Sequence, residues 1–338
     1  MKYLSLIMSL FVVLSSCSKK DSAPNNTAPA NLTVNATVST DNSGNVSFTA
    51  TATYAVTYDY DFGNGIFQTV PSGVITYKYP ASGTYTVNVI AKSAGGQTIS
   101  KSTQVTVAVI LSLLWSEEFN TPGAPDAAKW GYDLGDGGWG NNELEYYTDR
   151  PDNVIVSNGT LKIIAKKEAF SGSAYTSTRM LTKDKFSFKY GKIEIMAKLP
   201  AGVGTWPAIW MLGNNISTTP WPGCGEIDIM EHVGSQQNKI FGTLHHPGHS
   251  GANGDGGNVI ISTASTAFHK YAMEWNQASI KFSVDDAVFY SFTNTPGLPF
   301  NQNFFLILNV AMGGNFGGAV DPAFTSAQME IDYIRVYQ

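Results

Sequence analysis

The sequence predicts an all-β chain built as two sandwiches, and three observations carry that reading. Short apolar runs recur between Gly, Asn and Pro turns along most of the chain, with no long amphipathic helical pattern. Hydrophobic residues make up 43% of the 338 positions and charged residues only 14%. The surface must then be polar through Ser, Thr, Asn, Gln and Gly. The run character also changes near Val109, which divides a smaller β module from a larger one. The predicted architecture is a jelly-roll sandwich over residues 111–338, preceded by a small immunoglobulin-like sandwich over 31–109.

Residues 1–17 read as an export signal: Lys2, an apolar run from Tyr3 to Leu14, then small residues. The run is too short for a comfortable membrane span. Leu14-Ser15-Ser16-Cys17 resembles a bacterial lipobox, which implies a lipid-bearing Cys17. The expectation is an exported lipoprotein at the cell surface or outer membrane, touching the membrane through that anchor alone. Residues 18–30 are rich in Ser, Pro and Asn and read as a flexible tether.

In the first module, Leu32–Val38, Val46–Phe48 and Tyr85–Ile90 alternate, and Asp41–Gly44 and Ala94–Gly96 supply turns. Tyr58-Asp-Tyr-Asp-Phe-Gly-Asn-Gly65 and Tyr79-Pro-Ala-Ser-Gly-Thr-Tyr85 resemble the PKD domain, with Tyr60 and Asn64 departing from its Trp and Asp. Asp59, Asp61 and Asn64 could imitate a calcium loop, but turn chemistry is the preferred reading. The module is expected to be a spacer or weak glycan binder.

In the larger module, strand-like runs include Val154–Val156, Thr160–Ile164, Lys192–Met196, Ile280–Val284, Phe304–Val310 and Met329–Tyr337. The stretch that organises it is Gly225-Glu226-Ile227-Asp228-Ile229-Met230-Glu231-His232. Strand side chains alternate between faces, so Glu226 and Asp228 share one and Ile227 and Ile229 the other. Strict alternation would put Glu231 on the wrong face. A β-bulge near Met230 would bring it back. A row of like charges must be solvated, paired or used, and two carboxylates are what glycoside hydrolysis requires, one as nucleophile and one as proton donor. A third acid between them can hold a shared proton and separate their pKa values.

Glu-Ile-Asp-Ile-Met-Glu followed by His resembles the catalytic strand of glycoside hydrolase family 16, in its laminarinase-like branch, and the resemblance runs from about Leu113 to Gln338. It implies a retaining endo-1,3-β-glucanase with Glu226 as nucleophile, Asp228 as assisting acid and Glu231 as acid/base. Carried over in the same way, Trp206 and Trp210 of Thr205-Trp-Pro-Ala-Ile-Trp-Met211 stack on sugar. Arg179 of Tyr175-Thr-Ser-Thr-Arg179 hydrogen-bonds the nucleophile or a sugar hydroxyl, and beside Glu226 it would hold that acid ionised. Asn141 contacts sugar from the Trp139–Thr148 loop, and His245 lies near the acid/base. Phe316 stands where relatives often carry Trp, so stacking there should be weaker or absent. The resemblance also implies a structural calcium held by Glu118, the Gly159 carbonyl and Asp332, oxygen donors that suit it.

The expected partner is β-glucan polysaccharide, bound by a monomer, with no cofactor needed for catalysis. A net charge of −5 gives no case for nucleic acid. Two alternatives stay open: a family 16 hydrolase of mixed-linkage glucan or algal galactan, and a non-catalytic glycan-binding lipoprotein. Cys224 reads as a small buried hydrophobe. With Cys17 in the export segment, a disulfide is not expected, and no His/Cys cluster shows zinc-ligand spacing.

Overall fold

A computed structural model describes residues 27–338, so Cys17 and the export segment lie outside the described residues. The described chain is built of strands joined by turns and loops, with one four-residue α-helix at Gly314–Gly317. It divides into two compact units, the smaller taken from residues 27–106 and the larger running from Val107 to Gln338 with two short earlier segments.

The smaller unit holds a three-stranded sheet (Ala30–Val38, Asn45–Thr53, Val74–Lys78) and a four-stranded sheet (Phe67–Val70, Thr57–Asp61, Gly83–Lys92, Thr98–Val107). Phe48, Tyr60, Phe62, Val87 and Val89 are fully buried in it. The loop that could imitate a calcium site is turn chemistry: Asp61 Oδ1 accepts the Gly63 N–H at 2.9 Å. Asp59 is paired with Lys92, and the Asn64 amide donates to the Tyr77 hydroxyl at 2.8 Å.

In the larger unit a ten-stranded and a seven-stranded sheet enclose one core. The outer sheet is simple to derive. Gly191–Lys198 alternates, burying Ile193, Ile195 and Ala197 and leaving Lys192 and Glu194 half-buried. The seven-stranded sheet carries the site. Its order is Asp255–Ile260, Lys239–His245, Glu226–His232, Thr205–Gly213, Phe304–Met312, Arg179–Leu181 and Gly131–Asp133.

Phe304–Met312, inside this sheet, is buried at all nine positions, with the main core on one face and a small apolar cluster and the cleft floor on the other. Phe304, Leu306, Leu308, Val310 and Met312 enter the main core. Phe305 and Ile307 join Leu181 in a small cluster on the other face, with Trp210 and Leu212 packed against it. Asn309 follows on that same face and lines a cleft.

Candidate active site

The cleft encloses about 930 Å³. Its floor follows from strand alternation in Thr205–Gly213. Ile209 and Met211 face the core, while Trp206, Ala208, Trp210 and Leu212 line the cleft. The neighbouring strand breaks that rule once. Ile209 pairs with Met230, but the next residue, Trp210, pairs with Asp228, so one residue of the acid strand has no counterpart. Against Lys239–His245 the same slip falls between Asp228 and Glu231. Ile229 and Met230 therefore both enter the core, and Glu226, Asp228 and Glu231 all line the cleft. This is the bulge the sequence called for.

Each acid has its own partners. Trp221 Nε1–H donates to Glu226 Oε2 at 2.6 Å. His245 Nε2 stands 3.1 Å from Asp228 Oδ2. Trp206 Nε1–H donates to Glu231 Oε1 at 3.0 Å, and the Thr243 hydroxyl lies 3.4 Å from Glu231 Oε2. Burial pushes all three carboxyls above their ordinary values. The Asp228 charge adds to the rise at Glu226, and the Glu231 charge adds to it at Asp228. At Glu231 the donated bonds from Trp206 and Thr243, with the nearby His245, oppose the rise. Three close carboxyls in a poorly solvated cleft cannot all ionise at neutral pH at little cost, so they hold protons in common. That is the condition under which one acid donates a proton while another attacks.

The remaining expected cleft residues also meet here. Asn141, Arg179, Trp206, Trp210 and His245 line the cleft with the acids. Asn141 donates from its side-chain amide to Glu143 Oε1 at 3.2 Å. Trp210 Nε1–H donates to Asn309 Oδ1 at 2.8 Å. The placement of Arg179 is a correction. Instead of standing against Glu226, it pairs with Asp133 at 3.0 Å and lies over the rings of Trp139 and Trp210. Its partner Asp133 is opposite it in strand register, and that pairing consumes the charge. Phe316 lines the cleft edge-on to Trp206, with ring centroids 5.6 Å apart.

Glu118, Gly159 and Asp332 take no part in the cleft. Both Glu118 oxygens already accept from Arg335, at 2.9 and 2.8 Å. A calcium there would share that carboxylate with a guanidinium or displace it. Cys224 is buried and free, and burial pushes its thiol up to about 11, the behaviour of a core residue. His232, which ends the acid strand, is likewise core, and burial lowers its pKa to about 4.

Among the cleft groups that sequence reasoning missed are Trp221, Glu143 and Asn309. Trp221 lies in a loop segment, Thr219–Cys224, with no strand periodicity to aim it. Glu143 accepts from the Tyr147 hydroxyl at 2.8 Å, and that hydroxyl accepts from Asn309 at 3.0 Å. Glu143 and Asn309 were hidden inside runs read as loop and core, although a polar Asn within Phe304–Met312 was a usable signal.

A curved sheet carrying a row of acids and indoles in an open cleft defines a carbohydrate-cleaving hydrolase of the jelly-roll class. The comparisons take this to a family. The model of "Glycosyl hydrolases family 16" matches residues 141–335, and the chain belongs to that family. A second model, of the "Beta-glucan synthesis-associated protein SKN1/KRE6/Sbg1" family, matches residues 48–220. A "Beta-glucanase" of Rhodothermus marinus is 46% identical over 242 residues, 67% of this chain and 85% of that protein. The X-ray structure of the laminarinase from Rhodothermus marinus has a TM-score of 0.65 at 46% identity, covering 68% of this chain and 98% of that one. A Z. galactanivorans structure in complex with laminaritriose and laminaritetraose has a TM-score of 0.63 at 41% identity, covering 67% and 99%.

Proposed function

We propose that this protein is an endo-acting, retaining β-glucan hydrolase that cleaves β-1,3 linkages in laminarin-type polysaccharide. The observation that carries the reading is the bulged strand that turns Glu226, Asp228 and Glu231 onto one cleft face beside Trp206 and Trp210. The names of the relatives, a beta-glucanase and a laminarinase, point to the same linkage class.

In this mechanism Glu231 gives its proton to the glycosidic oxygen as the C1–O bond breaks. A Glu226 oxygen forms the new bond to C1. Water then attacks C1, Glu231 takes the water's proton, and the bond to Glu226 breaks. Asp228 sits between the two and takes up charge as each acid changes state. The indoles of Trp206 and Trp210 present flat apolar faces to the sugar ring.

A sulfated galactan fits less well. Among the described residues lining the cleft, Arg179 is the one Lys or Arg, and Asp133 neutralises it. A silent binding protein would be expected to have lost one of the acids, and all three are present.

Product stereochemistry tests the roles. Glu226→Ala and Glu231→Ala should each abolish laminarin hydrolysis, with losses of at least ~10³-fold. With an activated aryl β-glycoside, azide should rescue Glu231→Ala and give the β-azide, because the glycosyl-enzyme still forms. Azide should rescue Glu226→Ala with inversion, giving the α-azide. An α-azide from Glu231→Ala would exchange the two roles, and an inverted product from the unaltered protein would overturn the retaining mechanism.

A further inference from the structure

We propose that His246, His249 and Asp255 form a binding site for a divalent transition ion of the zinc type, beside the cleft and separate from the reacting acids. The argument begins with a turn. His246-Pro247-Gly248-His249 closes the hairpin tip with two backbone bonds, His246 N–H to His249 O at 2.8 Å and His249 N–H to His246 O at 2.9 Å. Proline at the second position and glycine at φ +85° at the third are what a type II turn requires. Residues facing each other across such a pair project to one side of the ribbon. The two imidazoles accordingly lie side by side, centroids 4.8 Å apart and planes 18° apart.

Asp255 reaches the pair from the next strand, where it stands in register with Leu244. Its carboxylate spans both rings: Oδ2 is 2.9 Å from His246 Nε2 and Oδ1 is 3.1 Å from His249 Nδ1. One donor atom from each residue falls within 4.8 Å of the others. Zinc bonds of ~2.0–2.2 Å in a tetrahedron put donors ~3.3–3.5 Å apart. Each His–Asp pair needs to part by only a few tenths of an ångström to admit the ion, and all three donor atoms already lie within 4.8 Å of one another. Two imidazoles and one carboxylate select zinc, nickel or copper over calcium or magnesium, which prefer oxygen donors alone. Three protein ligands leave the fourth position for water.

The surroundings favour a held site with an open entrance. His246 is buried against Phe292 and Phe300, with centroids at 5.9 and 5.7 Å, so one ligand is fixed by packing. The His249 side chain keeps 53% of its surface exposed, which leaves a way in. The site was not legible in the sequence, because its third ligand is an Asp on another strand and a search for Cys/His spacing passes over it.

An ion here would join the turn to Asp255 and close residues 250–254 into a tethered loop. Gly251, Ala252 and Gly254 of that loop line the cleft. Gly254 lies so close to His245 that an added Cβ would stand 2.7 Å from its ring. The site would therefore brace one wall of the cleft next to the partner of Asp228.

Calorimetric titration of the chelator-stripped full chain with zinc chloride tests the proposal. The expected result is one saturable site, weakened at least tenfold in both His249→Ala and Asp255→Asn, with calcium chloride giving no binding that these variants remove. His249 is a surface residue, so its variant should keep the unaltered melting temperature in the absence of metal. Hydrogen exchange at residues 250–254 should slow on adding zinc in the unaltered protein and stay unchanged in His249→Ala. Equal zinc affinity in the unaltered protein and His249→Ala would overturn the site, as would no saturable binding at all. Calcium binding that depends on His249 would overturn the ion class.

Discussion

At the scale of single residues, the acids of the cleft work against the stability of the fold that holds them. Burial and the Asp228 charge raise the Glu226 carboxyl well above its ordinary 4.5. Between the ordinary and the raised value the folded protein binds more protons than the unfolded chain. Stability therefore falls as pH rises through that window, and the deficit is complete above the raised value. Glu226→Gln removes the buried charge and keeps an oxygen to accept from Trp221. At neutral pH its stability should rise by about 1 kcal/mol, the usual gain on neutralising a strained functional group, or ~2–4 °C in a domain of this size. Melting curves of both proteins should separate at pH 7 and converge near pH 4. A variant that melts at or below the unaltered protein at pH 7 would mean that Glu226 is not strained by its neighbours. Arg179 teaches a different lesson about single residues. Its position in the cleft was legible from its motif, but its partner was not, because Asp133 comes from a three-residue strand 46 positions earlier and only strand register joins them.

At the scale of elements, the acid strand was legible because its pattern breaks one rule in a way one known irregularity repairs. Alternation assigned Glu226 and Asp228 to a face, and the leftover Glu231 required an extra residue. Trp206 and Trp210 were legible for the same reason, four apart on a regular strand. The Trp221 loop and the reach of Asp255 across a hairpin were not, since neither has a period. The bulge also makes an unusual deletion tolerable. Removing one residue from a regular strand turns every later side chain to the other face. Removing Ile229 removes the residue without a counterpart on Thr205–Gly213, and the pairs Asp228–Thr243 and Glu231–Phe241 on either side stay as they are. The shortened Glu-x-Asp-x-Glu strand still presents both glutamates to the cleft, at the loss of one buried isoleucine and ~2–5 kcal/mol. The expected outcome is a folded protein with hydrolysis reduced ~10–100-fold, against the complete loss a face reversal would give. Loss of all activity in a protein with unaltered circular dichroism would show that the bulge sets the reach of Glu231 as well as its face.

At the scale of the whole molecule, the question is where the catalytic unit begins. The run Leu113–Glu117, which was not among the strand-like runs legible in the sequence, pairs along the C-terminal strand Ser326–Tyr337. Ser112 and Gln338 close the end of that pairing with two backbone bonds, at 3.0 and 2.9 Å. Glu118 holds Arg335 of the same strand through both carboxylate oxygens. Trp115 stacks on Phe186 at 4.7 Å and meets Trp130 edge-on at 6.1 Å. The first residues of the unit thus cover an edge that would otherwise be open, and they anchor it with an aromatic cluster. A chain starting at Leu111 retains all of these contacts and should hydrolyse short laminari-oligosaccharides within about twofold of the full chain. A chain starting at Phe119 lacks the covering strand, Trp115 and Glu118. The loss of Trp115 alone is worth ~3–5 kcal/mol, so its melting temperature should fall by roughly 10 °C or more, although it retains every cleft residue. Differential scanning calorimetry and rates on short oligosaccharides separate the two effects. If the Leu111 chain is folded but slow, the first 110 residues help to build the site. If the Phe119 chain melts with the full chain, the terminal strand is an ornament of the fold and its pairing contributes nothing to the cleft.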